Sequence, residues 1–329
     1  MDDIYEFNKK DACDKLHEAI EYLNKNTKQD FDKFILLCKL SAFQGNEEAQ
    51  YILGIFYEYG VEGLEYYFET SIASGEKWYN VVNYKKSLDW YEKSANGGYE
   101  PAIYRVAFMY NWGIGTEEDY EKAMKWYLKS AELGNSDSMF HIGYMYHEGL
   151  GVERDPKKAI EWYLKAVEFD DARAMFNIGH IYYKGLAGEV DYKKAMEWYL
   201  KAAKLDDSDS IFSIGYMYDA GLGVEKDYKK AMEWYLKAVE LNNSDAMDNI
   251  GCIYEKGLGV DVDYEKAMEW YLKSLELNND TAMFDIGNMY EKGLGVKKNI
   301  EVAIKFYLDA AEIGNLDAKQ RLKELGYYK

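Results

Sequence analysis

Residues 210–238 read SIFSIGYMYDAGLGVEKDYKKAMEWYLKA, and a closely similar line recurs from Ala246 to Ser274. The Trp234-Tyr235 pair in this stretch belongs to a series. Trp90-Tyr91, Trp126-Tyr127, Trp162-Tyr163, Trp198-Tyr199, Trp234-Tyr235, Trp270-Tyr271 and Phe306-Tyr307 follow one another at steps of 36 residues. Gly215 has counterparts at Gly143, Gly179, Gly251 and Gly287, with Gly54 earlier and Ala107 as the one substitution. Three residues on, Tyr218 repeats as Tyr57, Tyr110, Tyr146, Tyr182, Tyr254 and Tyr290. Gly221 repeats as Gly60, Gly113, Gly149, Gly185, Gly257 and Gly293. Such self-similarity marks a stack of supersecondary units, so a length of 329 residues does not by itself count domains.

Each unit reads as two short antiparallel helices, A and B. In residues 136–168, helix A spans about Ser136 to Glu148, with Ser138, Ile142 and Met145 or Tyr146 at helical spacing. Gly149-Leu150-Gly151 stops it, because glycine enters the left-handed conformation without a Cβ clash. Asp155 is the expected N-cap of helix B, with Pro156 at its first position, and Asp191, Asp227, Asp263 and Asn299 repeat the cap. Helix B places Ala159, Tyr163, Ala166 and Val167 on one face. The glycine at 143 and its equivalents falls inside helix A, where it costs about 1 kcal/mol against alanine. Its recurrence predicts a close contact with an aromatic of helix B. Asp137, Asp209 and Asp245 at helix starts read as capping and dipole groups, with binding of a basic partner as the other reading.

Composition excludes several classes of function. Hydrophobic residues make up 48% of the chain, with 33 tyrosines, 8 tryptophans and only 2 prolines, which is an ordered helical composition. The formal charge is −19, and no basic stripe interrupts it, so nucleic acid and anionic membranes are disfavoured and a basic or neutral partner is expected. No apolar run approaches 18 residues. Cys13, Cys38 and Cys252 are odd in number and widely spaced, which argues for a reducing compartment. The first residues, MDDIYE, carry no basic or apolar leader. The expected setting is cytoplasmic, with delivery as an effector without a cleaved signal as the alternative.

The pattern A-M-F-x-I-G-x-x-Y-x-x-G-x-G-V-x-x-D-x-x-K-A-x-x-W-Y-x-K-A resembles the Sel-1-like repeat, a relative of the tetratricopeptide repeat, over roughly residues 46–325. The resemblance implies an all-α fold: a right-handed α/α superhelical solenoid of about seven 36-residue helix-turn-helix repeats. The expected organisation is capping helices over 1–45, the repeats over 46–314, and a capping helix over 315–329. The first repeat departs from the pattern. Gly60 and Trp90 are 30 residues apart, against 13 from Gly149 to Trp162, which leaves an insertion at about 61–82. That insertion carries Leu64, Tyr66, Tyr67, Phe68, Trp78 and Tyr79, and reads either as an added helix on the stack or as a specificity loop.

The geometry implied by the resemblance lines the concave surface with A helices. One row of A-helix positions is Tyr51, Tyr104, Phe140, Phe176, Phe212 and Phe284, with Asp248 breaking it. Four residues on lie Ile55, Phe108, Tyr144, His180, Tyr216, Cys252 and Asn288. The candidate partner-binding residues are therefore Tyr104, Phe108, Phe140, Tyr144, His147, Phe176, His180, Tyr183, Phe212 and Tyr216, with His147 read as a surface or groove residue. In the alternative, the first row is simply core.

No cofactor or metal site is expected. The histidines 17, 141, 147 and 180 form no HExxH and pair with no cysteine at ligand spacing. Asp261-Val262-Asp263 lacks the rest of a calcium loop. Ser74-Gly75-Glu76-Lys77 matches SxxK, and some members of the resembled family are described as β-lactamase-like. No SDN or KTG accompanies it, and the cysteine pair per repeat of the secreted relatives is missing. The expected function is a non-enzymatic scaffold or adaptor that holds a partner protein or peptide. A hydrolase using Ser74 and Lys77, and a self-associating structural protein, are the alternatives.

Overall fold

The computed structural model describes residues 2–23, 28–68 and 82–327. Among the described residues the regular structure is helical throughout, and it divides into two compact units, residues 1–169 and 170–329. The first unit holds α1 (Asp2–Leu23), α2 (Lys28–Phe43), α3 (Glu47–Phe68), α4 (Tyr84–Asn96), α5 (Glu100–Asn111), α6 (Tyr120–Glu132), α7 (Ser136–Glu148) and α8 (Pro156–Val167). The second holds α9 (Ala172–Lys184), α10 (Tyr192–Ala202), a 3₁₀ turn (Ala203–Leu205), α11 (Ser208–Ala220), α12 (Tyr228–Glu240), α13 (Ser244–Lys256), α14 (Tyr264–Glu276), α15 (Asp280–Lys292), α16 (Ile300–Glu312) and α17 (Leu316–Glu324). Within each unit every helix packs on its neighbours in sequence, which is the stacked helix-turn-helix repeat of a solenoid.

The repeated aromatic pair splits between two environments. Tyr91, Tyr127, Tyr163, Tyr199, Tyr235, Tyr271 and Tyr307 are buried and form the centre of each A/B pair. The tryptophan beside each of the first six is half-buried, with a lysine from the next helical turn over its ring, as with Lys165 Nζ at 3.4 Å from the Trp162 centroid and Lys237 Nζ at 4.2 Å from that of Trp234; Tyr307 has Phe306 instead. The mid-helix glycine meets the tyrosine, as its recurrence predicts. A Cβ on Gly143 would lie 2.6 Å from Tyr163 Cδ1, and one on Gly251 2.6 Å from Tyr271 Cε1.

The expected B-helix caps are present. The Asp155 carboxylate accepts from the backbone N–H groups of Lys157 and Lys158, with Pro156 at the first helical position. Asp191, Asp227, Asp263 and Asn299 act alike. Gly149 ends α7 at φ 80°, and the second glycine of the loop serves packing: a Cβ on Gly223 would come within 2.7 Å of Tyr192 Cβ.

The A-helix caps correct one expectation. The capping oxygens belong to Asn135, Asp207 and Asn243, two residues before Asp137, Asp209 and Asp245. Asp209 and Asp245 instead accept from the next repeat: Asn243 Nδ2 donates to Asp209 at 3.3 Å, and Asn279 Nδ2 to Asp245 at 2.8 Å. An asparagine cap thus uses its oxygen on its own helix and its amide on the preceding repeat.

α1 and α2 pair with each other ahead of the first repeat, with Cys38 buried at the register of the repeated tyrosine. α3 continues into the sequence insertion across a kink at Gly60, where φ is 69°, as far as Phe68. Ser74, Lys77, Trp78 and Tyr79 lie outside the described residues.

Candidate protein-binding surface

The first row of A-helix aromatics is half-buried and lies against the core tyrosines. Phe140 sits 5.7 Å from Tyr163, Phe176 5.7 Å from Tyr199, Phe212 5.7 Å from Tyr235 and Phe284 5.5 Å from Tyr307, centroid to centroid. Each ring therefore has one side in the core and part of its area open. The second row stands further out. Tyr144 and Tyr216 are exposed, Phe108 and His180 half-exposed, and Ile55 buried.

In the first unit, Tyr104, Phe108 and His141 form one aromatic group, and His141 stacks on Tyr127 at 5.0 Å and 15°. In the second unit, Phe176, His180, Tyr183, Phe212 and Tyr216 line a single pocket of about 420 Å³. His180 is stacked on Phe176, with ring planes 14° apart. The structure thus brings five of the sequence-chosen residues together. His147 does not join such a surface: it is 5% exposed, and burial lowers its pKa. Position 147 follows Tyr146 as Glu58 follows Tyr57, a register buried also at Glu58 and Asn111 but only half-buried at Tyr183.

In four other repeats that register holds an acid, which sequence reading missed, while Asn111 and Tyr183 occupy it in the remaining two. Glu58, Asp219, Glu255 and Glu291 each accept a hydrogen bond from the hydroxyl of the buried tyrosine of their own repeat, at 2.9, 3.4, 2.8 and 2.7 Å. The next repeat then supplies a residue opposite the acid. Arg105 Nε donates to Glu58 Oε2 at 3.0 Å, and its Nη2 contacts both Glu58 and the Tyr59 hydroxyl. The Arg105 guanidinium also lies 4.8 Å from the Phe108 centroid. Arg321 Nε donates to Glu291 Oε2 at 3.0 Å, which holds the Glu291 carboxyl below its ordinary range. Opposite Glu255, the same position is Asp285.

Asp248 lies on the same part of the second unit, in the first row of aromatics. It is 6% exposed, lines the pocket, and its Oδ1 has no hydrogen-bond partner among the described residues. Burial pushes its pKa up to about 8, with Asp285, Asp245, Asp280 and Glu255 acting in the same direction. Burial and Glu255 push Asp285 up to about 6, against Asn288, Lys256 and Lys292. The sequence signal for this feature is an acid in a row that is otherwise aromatic. Among the described residues no group of three or more His, Cys, Asp or Glu side chains is arranged to hold a metal ion, and no helix is long and apolar enough to cross a membrane.

The Sel1 repeat family model matches residues 47–99, 101–135, 136–168, 172–207, 208–243, 244–279 and 280–315. A Sel1 repeat protein from Oxalobacter formigenes is 33% identical over 71% of this chain and 96% of its own, with a TM-score of 0.65. A protective antigen of uropathogenic Escherichia coli strains displaying the same fold is 31% identical over 95% of this chain, with a TM-score of 0.72. This chain spans 64% of that antigen's length. No curated protein matches the chain. Seven matched repeats, six of them with a glycine seated on a buried tyrosine and one with Ala107 in its place, establish that the chain belongs to the Sel1 repeat family, whose members are generally protein-interaction scaffolds.

Proposed function

We propose that the protein is a scaffold that holds a segment of a partner protein against its A helices, with the pocket of the second unit as the anchoring point. The observation that carries this reading is the pocket's wall: Phe176 and Phe212, held against the core tyrosines Tyr199 and Tyr235, stand beside Tyr183 and Tyr216. Rigid aromatic rings in a concave site anchor partners at low entropic cost. The formal charge of −19 favours a basic or neutral partner and speeds its encounter at low salt. Tyr104, Phe108, Phe140 and Tyr144 offer a second set of A-helix contacts on the first unit.

A photo-crosslinking amino acid in place of Tyr216 tests the reading in lysate of the source organism. A discrete protein crosslinked at 216, and captured at least tenfold less by a Tyr216→Glu variant of unchanged melting temperature, supports the scaffold. Equal capture by wild type and Tyr216→Glu refutes this surface. A crosslink only to a second copy of the chain replaces it with self-association.

A further inference from the structure

The chain shows twice how it satisfies an acid at the end of an A helix: Glu58 receives Arg105, and Glu291 receives Arg321, each from the following repeat. Glu255 receives no such cation, because the residue at that position is Asp285. About two helical turns earlier on α13, Asp248 replaces the phenylalanine of Phe140, Phe176, Phe212 and Phe284. A half-buried phenylalanine site is thereby turned into a buried carboxyl whose Oδ1 is unpartnered among the described residues, on the wall of an aromatic pocket. Such a group costs stability unless something pairs it.

The charged groups around it do not supply the pair. Asp245 and Glu255 on its own helix and Asp280 and Asp285 on α15 are all acidic. Lys256 is turned to Cys252, Lys292 acts on Asp285, and Lys184, which also lines the pocket, lies over the Tyr183 ring with its Nζ 5.2 Å from the centroid. The pocket joins what the chain uses for Arg105, a carboxylate and an aromatic face, without the arginine.

We infer that the acidic end of this pocket binds an arginine side chain of the partner, its guanidinium against Asp248 and its flat face along Phe212 or Tyr216. The inference rests on the scaffold reading and names the chemistry of what it holds. Arginine fits better than lysine because a planar guanidinium can pair with a carboxylate and stack on a ring at once. Pairing ionises Asp248, so binding releases a proton, and affinity falls by roughly tenfold per pH unit below the free protein's pKa for one coupled proton.

The test is an NMR titration of the full chain with acetyl-arginine methylamide, beside its neutral isostere acetyl-citrulline methylamide and calcium chloride. The arginine probe is expected to shift the amides of Phe212, Asp248, Asn249 and Thr281 with at least tenfold higher affinity than the citrulline probe at pH 8. That preference should shrink at pH 6. Asp248→Asn should abolish it, and Asp285→Arg, which supplies an internal arginine opposite Glu255, should do so while raising the melting temperature. Equal shifts from citrulline, shifts from calcium at the same sites, or no shifts at these amides overturn the inference. Partner capture through position 216 that is unchanged in Asp248→Asn and Asp285→Arg sinks the arginine site and leaves the scaffold standing. Capture that also ignores Tyr216→Glu sinks the scaffold.

Discussion

A Cβ on Gly215 would lie 2.7 Å from Tyr235 Cδ1 and 3.3 Å from the Ala231 carbonyl oxygen. The ring is buried, so it cannot swing away into solvent. This contact makes the sign of a simple substitution informative. By helix propensity alone, Gly215→Ala should stabilise α11 by about 1 kcal/mol. With the tyrosine in place it should destabilise the chain by about 1–3 kcal/mol, because the extra methyl overpacks the pair. Chemical denaturation of the two proteins decides between gain and loss, and a gain would remove the packing account of the repeated glycine.

Arg105 and Glu58 form the most buried ion pair among the described residues of the first unit, with Glu58 only 3% exposed. Arg105→Ala should cost about 3 kcal/mol, since it leaves a buried carboxylate uncompensated. Glu58→Gln with Arg105→Met should recover most of that loss, because glutamine still accepts from the Tyr91 hydroxyl and no charge remains. A double-mutant cycle measured by urea denaturation checks this. A double variant as unstable as Arg105→Ala would show that packing of the arginine stem, not charge, is what matters.

Asn279 caps α15 through its oxygen, accepting from Thr281 and Ala282, and donates its amide to Asp245. Asn279→Ala should cost about 1–2 kcal/mol. Asn279→Asp keeps the cap and loses the donor, so it should cost less than Ala but more than nothing. Thermal melts of the three proteins rank these effects. An aspartate variant equal to wild type would mean that the bond to Asp245 adds nothing.

Asp248 makes stability depend on pH. Its ordinary value is 3.8, and in the folded chain it is pushed up to about 8. The folded state therefore holds a proton that the unfolded state has released across this window. Stability from this group is complete below about pH 4 and is lost as pH rises towards 8. Asp285 adds a similar loss that ends near pH 6. Asp248→Asn should flatten the fall between pH 6 and 8. Asp248→Phe, the residue of the neighbouring repeats, should exceed wild type by about 2 kcal/mol at pH 8 while closing the arginine pocket. Denaturation at pH 5, 6, 7 and 8 measures both, and parallel curves for wild type and Asp248→Asn would contradict the pH account.

Local chemistry was readable because every step of it is local. The cap at Asp155 needs only a short polar side chain before Pro156, and the stop at Gly149 needs only a residue free to take φ 80°. The contact between Gly143 and Tyr163 was readable for a different reason. Repetition samples one pair many times, so a costly glycine that recurs beside an aromatic reveals their packing. His147 was misplaced because its type says nothing of depth. Its depth is set by the packing around it, since Tyr183 in the same register stays half-buried at the pocket. The acids in that register were not singled out, since their cationic partners come from the next repeat, 47 residues away for Arg105 and Glu58 and 30 for Arg321 and Glu291.

The amino-acid sequence by itself determined the helix pair, its period, its caps and its tyrosine core, because each depends on residues a few turns apart and is repeated in register. The tertiary structure alone decided which charges meet. Whether an acid is paired, as Glu58 is, or keeps an oxygen without a hydrogen-bond partner among the described residues, as Asp248 does, depends on what the following repeat places opposite it and on how much water the stack excludes there.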